Sequence, residues 1–249
     1  MDNHPEQYLV QSNVLFSESE DFFKTTMLFQ QLLVAYNSAA ECVTGALKII
    51  EKEKKSKGLR SPIHSFTSRI KSPVSIQKKL HKQGLPYSIE AVVDNLNDVA
   101  GVRVICEYIS DIYLVRNLLL SGELFTLVKE KDYIKNPKPN GYRSLHLIIE
   151  VTVHLTEGPK KVRCEIQLRT SAMDSWASLE HNMRYKKDLP ENKRINNKLR
   201  KCAQALNNTD KEMQKIAEQL GILSQEYSGP DVIELPGSKT KQIEATYHE

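Results

Sequence analysis

A block of cations and two carboxylates are the residues best placed to do chemistry. Between Arg60 and Ser88 the chain has six lysines and arginines and no acidic residue. A one-sign block attracts anions: phosphates, nucleic acid or an acidic membrane surface. A solvated basic face looks the same when only the charges are counted, so their placement decides. Arg69 and Lys71 are two apart on a stretch that reads as extended, so they point the same way. Ser75, Lys79 and Lys82 fall at i, i+4 and i+7 of the helix that follows, beside the apolar pair Ile76 and Leu80. Ser72-Pro73 reads as a helix cap with proline at the first position, which adds free N–H groups and a positive dipole end. The result is a convergent cationic wall, which is either a site for a phosphate chain or a solvated basic face. It lacks the glycines of a P-loop or a GxGxxG turn.

The carboxylates are Asp98 and Glu165. Asp98 precedes a strand with Arg103 and Glu107 on one face, and Glu165 lies mid-strand beside Gln167 and Arg169. If they converge they can hold Mg²⁺, which takes one or two carboxylates plus substrate phosphates; otherwise they are two structural ion pairs. The loop Pro139 to Ser144 leads into a strand with His146 on its polar face. Tyr142, at the glycine turn of this loop, is either a stacking platform for a base or an exposed turn tyrosine. Trp176, at helical spacing from Met173, reads as core.

These residues need elements to hold them. A long amphipathic helix is expected over about 18–56, opened by a capping box at Ser17 to Glu20. Then come an extended stretch from Ile63 to Lys71, a helix from Ser72 to Lys82, helical residues 88–96 and a strand from Ala100 to Tyr108. A helix from Asp111 to Leu120, a strand from Phe125 to Lys129 and a polar loop over 131–143 follow. Period-two alternation predicts strands over 144–155 and 162–169. Helices are expected over 171–186 and 191–222. In the last helix Ile195, Leu199, Cys202, Leu206, Thr209, Met213, Ile216 and Leu220 form a narrow a/d seam. Such a seam needs a partner, either the first helix or another copy. The fold expected is α+β or α/β: a central mixed or antiparallel sheet of about five strands, surrounded by helices, with long N- and C-terminal helices.

At 249 residues, 40% hydrophobic and 27% charged, the composition excludes a wholly disordered or collagen-like chain. The longest apolar run, Leu32 to Tyr36, is too short to span a bilayer, and no signal peptide is visible, so a cytoplasmic protein is expected. Cys42, Cys106, Cys164 and Cys202 show no CxxC spacing and read as buried apolar residues in a reducing compartment.

Five stretches in order then carry a resemblance: SRIKSPVSIQKK (68–79), NDVAGVRV (97–104), KDYIKNPKPNGYRSLH (131–146), EIQLRT (165–170) and AMDSWASLEH (172–181). Together they resemble the synthetase domain of the RelA/SpoT family, with its nucleotidyltransferase-like fold, and more narrowly the small alarmone synthetases. Position 97 is Asn where long members often have His, and 174 is Asp where some small members have Asn. No His-Asp dipeptide occurs, so the hydrolase domain of the long enzymes is not expected. The resemblance implies Mg²⁺-dependent transfer of the β,γ-pyrophosphate of ATP to the ribose 3′-OH of GDP or GTP. Arg69 and Arg103 would sandwich adenine; Lys71, Ser75, Lys79 and Lys82 would hold the ATP phosphates. Asp98 would bind the metal, and Glu165 would share it or act as base. Tyr142 would stack on guanine, with Lys138 and His146 on the acceptor phosphates and Gln167 and Asp174 nearby. It divides the chain into a flexible 1–16, a synthetase domain 17–186, an oligomerisation helix 187–223 and a flexible tail 224–249. A homotetramer is implied, with a single-stranded RNA or nucleotide effector as a further partner. Two other readings remain: the same site with an adenine nucleotide or tRNA 3′ end as acceptor, and a basic RNA-binding module without catalysis.

Overall fold

The structure, a computed structural model, describes the backbone of residues 5–185 and 193–223 and the side chains of 27–183 and 193–223. The tail 224–249, the segment 186–192 and the first four residues lie outside the described residues. The element order is α1 (Pro5–Ser56), β1 (Ile63–Ile70), α2 (Pro73–Lys82), α3 (Ile89–Asn95), β2 (Ala100–Cys106), α4 (Ile109–Leu120), β3 (Phe125–Asp132), β4 (Leu145–Leu155), β5 (Gly158–Thr170), α5 (Ser171–Tyr185) and α6 (Lys193–Gln219). Three details correct the sequence reading. Helix α1 begins at Pro5 and runs through Ser17 to Glu20, which therefore do not start it. Strand β5 is longer than expected, because the β4–β5 hairpin closes at Leu155 and Gly158 around a two-residue turn, with Gly158 at φ +116°. Cys106 and Cys164 are buried, but Cys42 and Cys202 are exposed.

The five strands form one mixed sheet in the order β1-β2-β5-β4-β3. Only β2 and β5 run parallel; the other neighbours are antiparallel. The apolar positions Val102, Val104, Cys164, Ile166 and Leu168 join Val43 and Leu47 of α1 and Ile112 and Val115 of α4 in the main core. The intervening positions face the other way. The sheet register sets Arg69 opposite Gly101, Gly101 opposite Glu165, Arg103 opposite Gln167, and Gln167 opposite His146. Residues far apart in sequence thus form two adjacent rows on one face.

Helix α2 starts at Ser72, whose hydroxyl accepts from the Ser75 N–H, with Pro73 in the first turn. Its buried line is Ile76 and Leu80. Ser88 caps α3 in the same way, and α3 delivers the turn that carries Asp98.

Helix α6 differs from the expected seam. It buries Ala203, Asn207 and Ala217, with Leu199 and Leu206 half-buried against α5, where Trp176 closes a small second core. Ile195, Cys202, Met213, Ile216 and Leu220 of the predicted seam are exposed. The small residues allow close helix approach, so the inner face is rotated from the line of large side chains. Among the described residues no helix is long and apolar enough to cross a membrane.

Candidate active site

The two carboxylates meet. Asp98 and Glu165 line one cleft of about 140 Å³ with Arg69, Gly101, Arg103 and Gln167. Each position follows from the elements just described: Arg69 ends β1, Asp98 precedes β2, Arg103 is on β2, and Glu165 and Gln167 are on β5. The Arg69 stem lies over Gly101, with its Cγ 3.8 Å from where a Cβ would stand, an ordinary van der Waals distance. A wider apolar groove of about 680 Å³ between α1, α2 and α3 has, among the described residues, Tyr87 as its only titratable lining side chain.

On one side of the cleft, Lys71 Nζ lies 2.8 Å from Asp98 Oδ2 and Lys79 Nζ 2.7 Å from Oδ1. Burial alone would raise the Asp98 pKa. Hydrogen bonds and charge from the two ammonium groups outweigh it and hold the carboxyl below its ordinary value. Ser75 is exposed and shares a 2.9 Å hydrogen bond with Ser72 Oγ. Lys82 is exposed at the end of α2. Neither of these two lines the cleft.

On the other side, five side chains close a ring. Arg169 Nη2 donates to Tyr142 Oη at 2.7 Å and to Gln167 Oε1 at 2.8 Å. Gln167 Nε2 donates to Glu165 Oε2 at 2.8 Å. Tyr142 Oη is 2.7 Å from His146 Nε2, and His146 Nδ1 is 3.1 Å from Glu165 Oε1. His146 links the ionised Glu165, on its Nδ1 side, to the Tyr142 hydroxyl, on its Nε2 side. Arg169 only donates and Glu165 only accepts, so the ring has a cationic and an anionic end. Burial raises the Glu165 pKa, but the bonds from His146 and Gln167 overcome this and lower it. Glu165 is therefore a carboxylate at neutral pH.

Around the ring, Asp174 Oδ1 takes Arg169 Nη1 at 2.8 Å and Arg103 Nη1 at 3.3 Å, bridging two like charges. Burial, followed by the charges of Arg169 and Arg69, lowers the Arg103 pKa, although an arginine remains charged. Lys138 Nζ sits 4.7 Å from the ring centroids of both Tyr133 and Tyr142. Tyr142 is half-buried, tied through its hydroxyl and packed edge-on to Tyr133 and His146. It is not a free turn tyrosine. Trp176 is buried as expected, and its Nε1 donates to the Leu199 carbonyl.

The resemblance groups Arg69, Lys71, Lys79, Asp98, Arg103, Glu165, Gln167, His146 and Asp174 around one site, and the structure brings them into one region. The sequence places Arg169 beside Glu165 without giving it a role, and it does not single out Tyr133. Period-two spacing from Glu165 and Gln167 already put Arg169 on this face. Nothing local marked Tyr133, whose place depends on loop closure over Lys138.

Among the described residues no group of three His, Cys, Asp or Glu could hold a metal alone. Two carboxylates facing a cationic cleft still suit Mg²⁺, a hard ion that takes its other ligands from phosphate and water.

Comparison with known proteins gives this geometry its context. Residues 68–189 match the family model described as a region found in RelA / SpoT proteins. GTP pyrophosphokinase YwaC of Bacillus subtilis (strain 168) is 41% identical over 201 residues, 80% of this chain and 96% of the relative. The crystal structure of small alarmone synthetase 1 from Bacillus subtilis bound to its product pppGpp superposes with a TM-score of 0.72. It is 32% identical and covers 78% of this chain and 98% of its own. The same synthetase bound to AMPCPP gives a TM-score of 0.65 at 29% identity, covering 78% of this chain and 97% of its own. The mixed sheet, the paired carboxylates and these likenesses along most of the chain agree: it belongs to the RelA/SpoT family, among the small alarmone synthetases.

Proposed function

We propose that the chain is a GTP pyrophosphokinase that moves the β,γ-pyrophosphate of ATP to the ribose 3′-OH of GDP or GTP, making ppGpp or pppGpp and AMP. One observation carries this reading: Asp98 and Glu165 share a cleft between a lysine–arginine wall and an aromatic–cationic cluster. That is the arrangement a reaction between two nucleotides needs.

In this reading Arg69 and Arg103 hold the adenine between planar guanidinium faces. Lys71 and Lys79 transfer their charge from Asp98 to the incoming phosphates, with Ser75 and Lys82 further out along α2. Asp98 and Glu165 are the residues that would hold Mg²⁺, which neutralises phosphate charge as it moves. Tyr142 stacks on guanine, displacing Lys138 from its face towards the acceptor phosphates beside His146. Glu165 takes the 3′-OH proton as the oxygen forms its bond to Pβ. The bond from Pβ to the oxygen bridging the α-phosphorus breaks, and AMP leaves with that oxygen. Gln167 and Asp174 keep Glu165, Arg103 and Arg169 in place.

The exposed face of α6, with Ile195, Met213, Ile216 and Leu220, supports self-association, with a homotetramer as the expected state. Light scattering at micromolar concentration tests it, and a monomer would refute it. The activity test incubates the protein with Mg²⁺ and γ-labelled ATP, and separately with GDP, GTP, AMP or deacylated tRNA. Label on GDP or GTP with release of AMP is the expected result. Label on AMP or tRNA instead would assign another acceptor to the same site.

A further inference from the structure

Helix α6 does more than present an outer face. Its inner face seats the loop that carries Tyr142. Gly141 is buried at φ +95°, and a Cβ there would stand 2.7 Å from Ala203 Cβ and 3.1 Å from Arg200 Cα. Loop and helix backbones therefore touch with no side chain between them, which only glycine at 141 and a small residue at 203 permit. Arg143 fastens the contact from the other side. Its Nη1 donates to the Gly141 carbonyl at 3.2 Å and lies 3.5 Å from the Ala203 carbonyl, and its Nη2 donates to Gln204 Oε1 at 3.1 Å. Tyr142 thus has both chain neighbours pinned to α6. Within the loop, the Gly141 N–H donates to the Lys138 carbonyl at 2.8 Å, and the Tyr142 N–H to Asn140 Oδ1 at 3.2 Å. These bonds tie Lys138 to the same seat. Helix α6 is itself held by Trp176 Nε1, which reaches the Leu199 carbonyl at 3.0 Å, by Thr170 Oγ1, which reaches Asp210 Oδ2 at 2.6 Å, and by the Ser110 N–H, which donates to Gln214 Oε1 at 3.0 Å.

We propose that Ala203 and Arg143 are positioning residues for the acceptor nucleotide: through the Gly141 seat they fix where Tyr142 and Lys138 stand, and so set acceptor affinity without touching the donor side. The donor-side residues Arg69, Lys71, Lys79 and Asp98 lie on β1, in the link to α2, on α2 and in the turn before β2, none of which shares this seat, and Arg103 reaches Tyr142 only through Asp174 and Arg169. The inference rests on Tyr142 being the platform for the acceptor base, so its test must separate the two claims.

Steady-state kinetics with each substrate varied in turn provide that separation. Ala203→Val overfills the seat, and Arg143→Gln removes the fork. Each raises the KM for GDP and GTP about tenfold, since a small misplacement of a binding group is costly. The KM for ATP and the kcat at saturation stay within about twofold. Lys201→Ala, on the exposed side of α6, changes neither. Circular dichroism and melting confirm folding; if Ala203→Val does not fold, Arg143→Gln carries the test. Tyr142→Ala is the reference. An unchanged acceptor KM in Tyr142→Ala refutes the platform reading, and the proposal with it. A raised acceptor KM in Tyr142→Ala, with normal values in the folded seat variants, refutes the seat alone. Seat variants that raise both KM values equally, or lower kcat alone, make the contact merely structural and also overturn the proposal.

Discussion

The donor side and the acceptor side of the cleft are built in opposite ways. The donor side is one charge cluster: Asp98 held between Lys71 and Lys79, with both lysines partly open to solvent. Its partners come mostly from one continuous stretch, β1 to α2. The acceptor side is a closed ring from three separate elements, with Arg169 and His146 buried and every ring bond satisfied. The first is arranged to exchange partners, because each lysine can leave a carboxylate for a phosphate at little structural cost. The second is arranged to stay put, because losing one member strands buried polar groups.

Substitutions that break this contrast should differ in kind as well as size. Glu165→Gln joins the ring's acceptor role to the proton transfer; it should lower kcat by about 10²–10⁴-fold with the fold intact by circular dichroism. Asp98→Asn removes the charge that balances two lysines and one metal-holding carboxylate. It should cost about 10²-fold in activity at fixed Mg²⁺, less as Mg²⁺ is raised, read by product formation across a Mg²⁺ titration. Lys79→Ala and Lys138→Ala test the two sides against each other. Each should raise one KM by about tenfold, that of ATP for Lys79 and that of the acceptor for Lys138. Tyr142→Phe keeps the ring face and deletes the hydroxyl, so a loss of only a few-fold is expected, with a lower melting temperature from unpaired Arg169 and His146 donors and acceptors.

The same contrast has a pH signature. Asp98 and Glu165 are both held below ordinary carboxylate values. A carboxylate whose folded pKa is depressed contributes stability above its unfolded value, and loses it as pH falls through the lower folded value. Melting temperature should therefore fall below about pH 4, and the fall should be shallower in Asp98→Asn. Either a flat profile or an unaltered one in the variant would count against the Lys71–Asp98–Lys79 cluster as the cause.

What could be read from the chain divides along the same line. The donor wall was legible because i, i+4 and period-two rules act over a few residues: Arg69, Lys71 and Lys79 fell where spacing put them. The strands were legible from alternation, as in Val162 to Leu168. The ring was not, because the Tyr142–His146–Glu165 connection depends on register between β4 and β5 and on a loop closing over both. Helix α6 shows a different failure. Large apolar residues dominate a periodicity count, yet the helix packs through Ala203 and Ala217, where small size lets backbones approach. The start of α1 was misplaced because Ser17 to Glu20 has a capping pattern that a continuing helix can also accommodate.

The one parallel pairing in the sheet has a consequence for how activity is gained. Strands β3, β4 and β5 follow one another as antiparallel neighbours, so they can zip from local turns. Joining β2 to β5 instead brings Ala100 beside Cys164, closing a long stretch of chain before any contact repays the entropy. That pairing sets Gly101 and Arg103 against Glu165 and Gln167. The two halves of the cleft therefore belong to parts of the chain that can acquire structure separately. During refolding, sheet signal should recover ahead of turnover, and the appearance of product marks the moment when β2 and β5, the paired strands farthest apart in sequence, find each other.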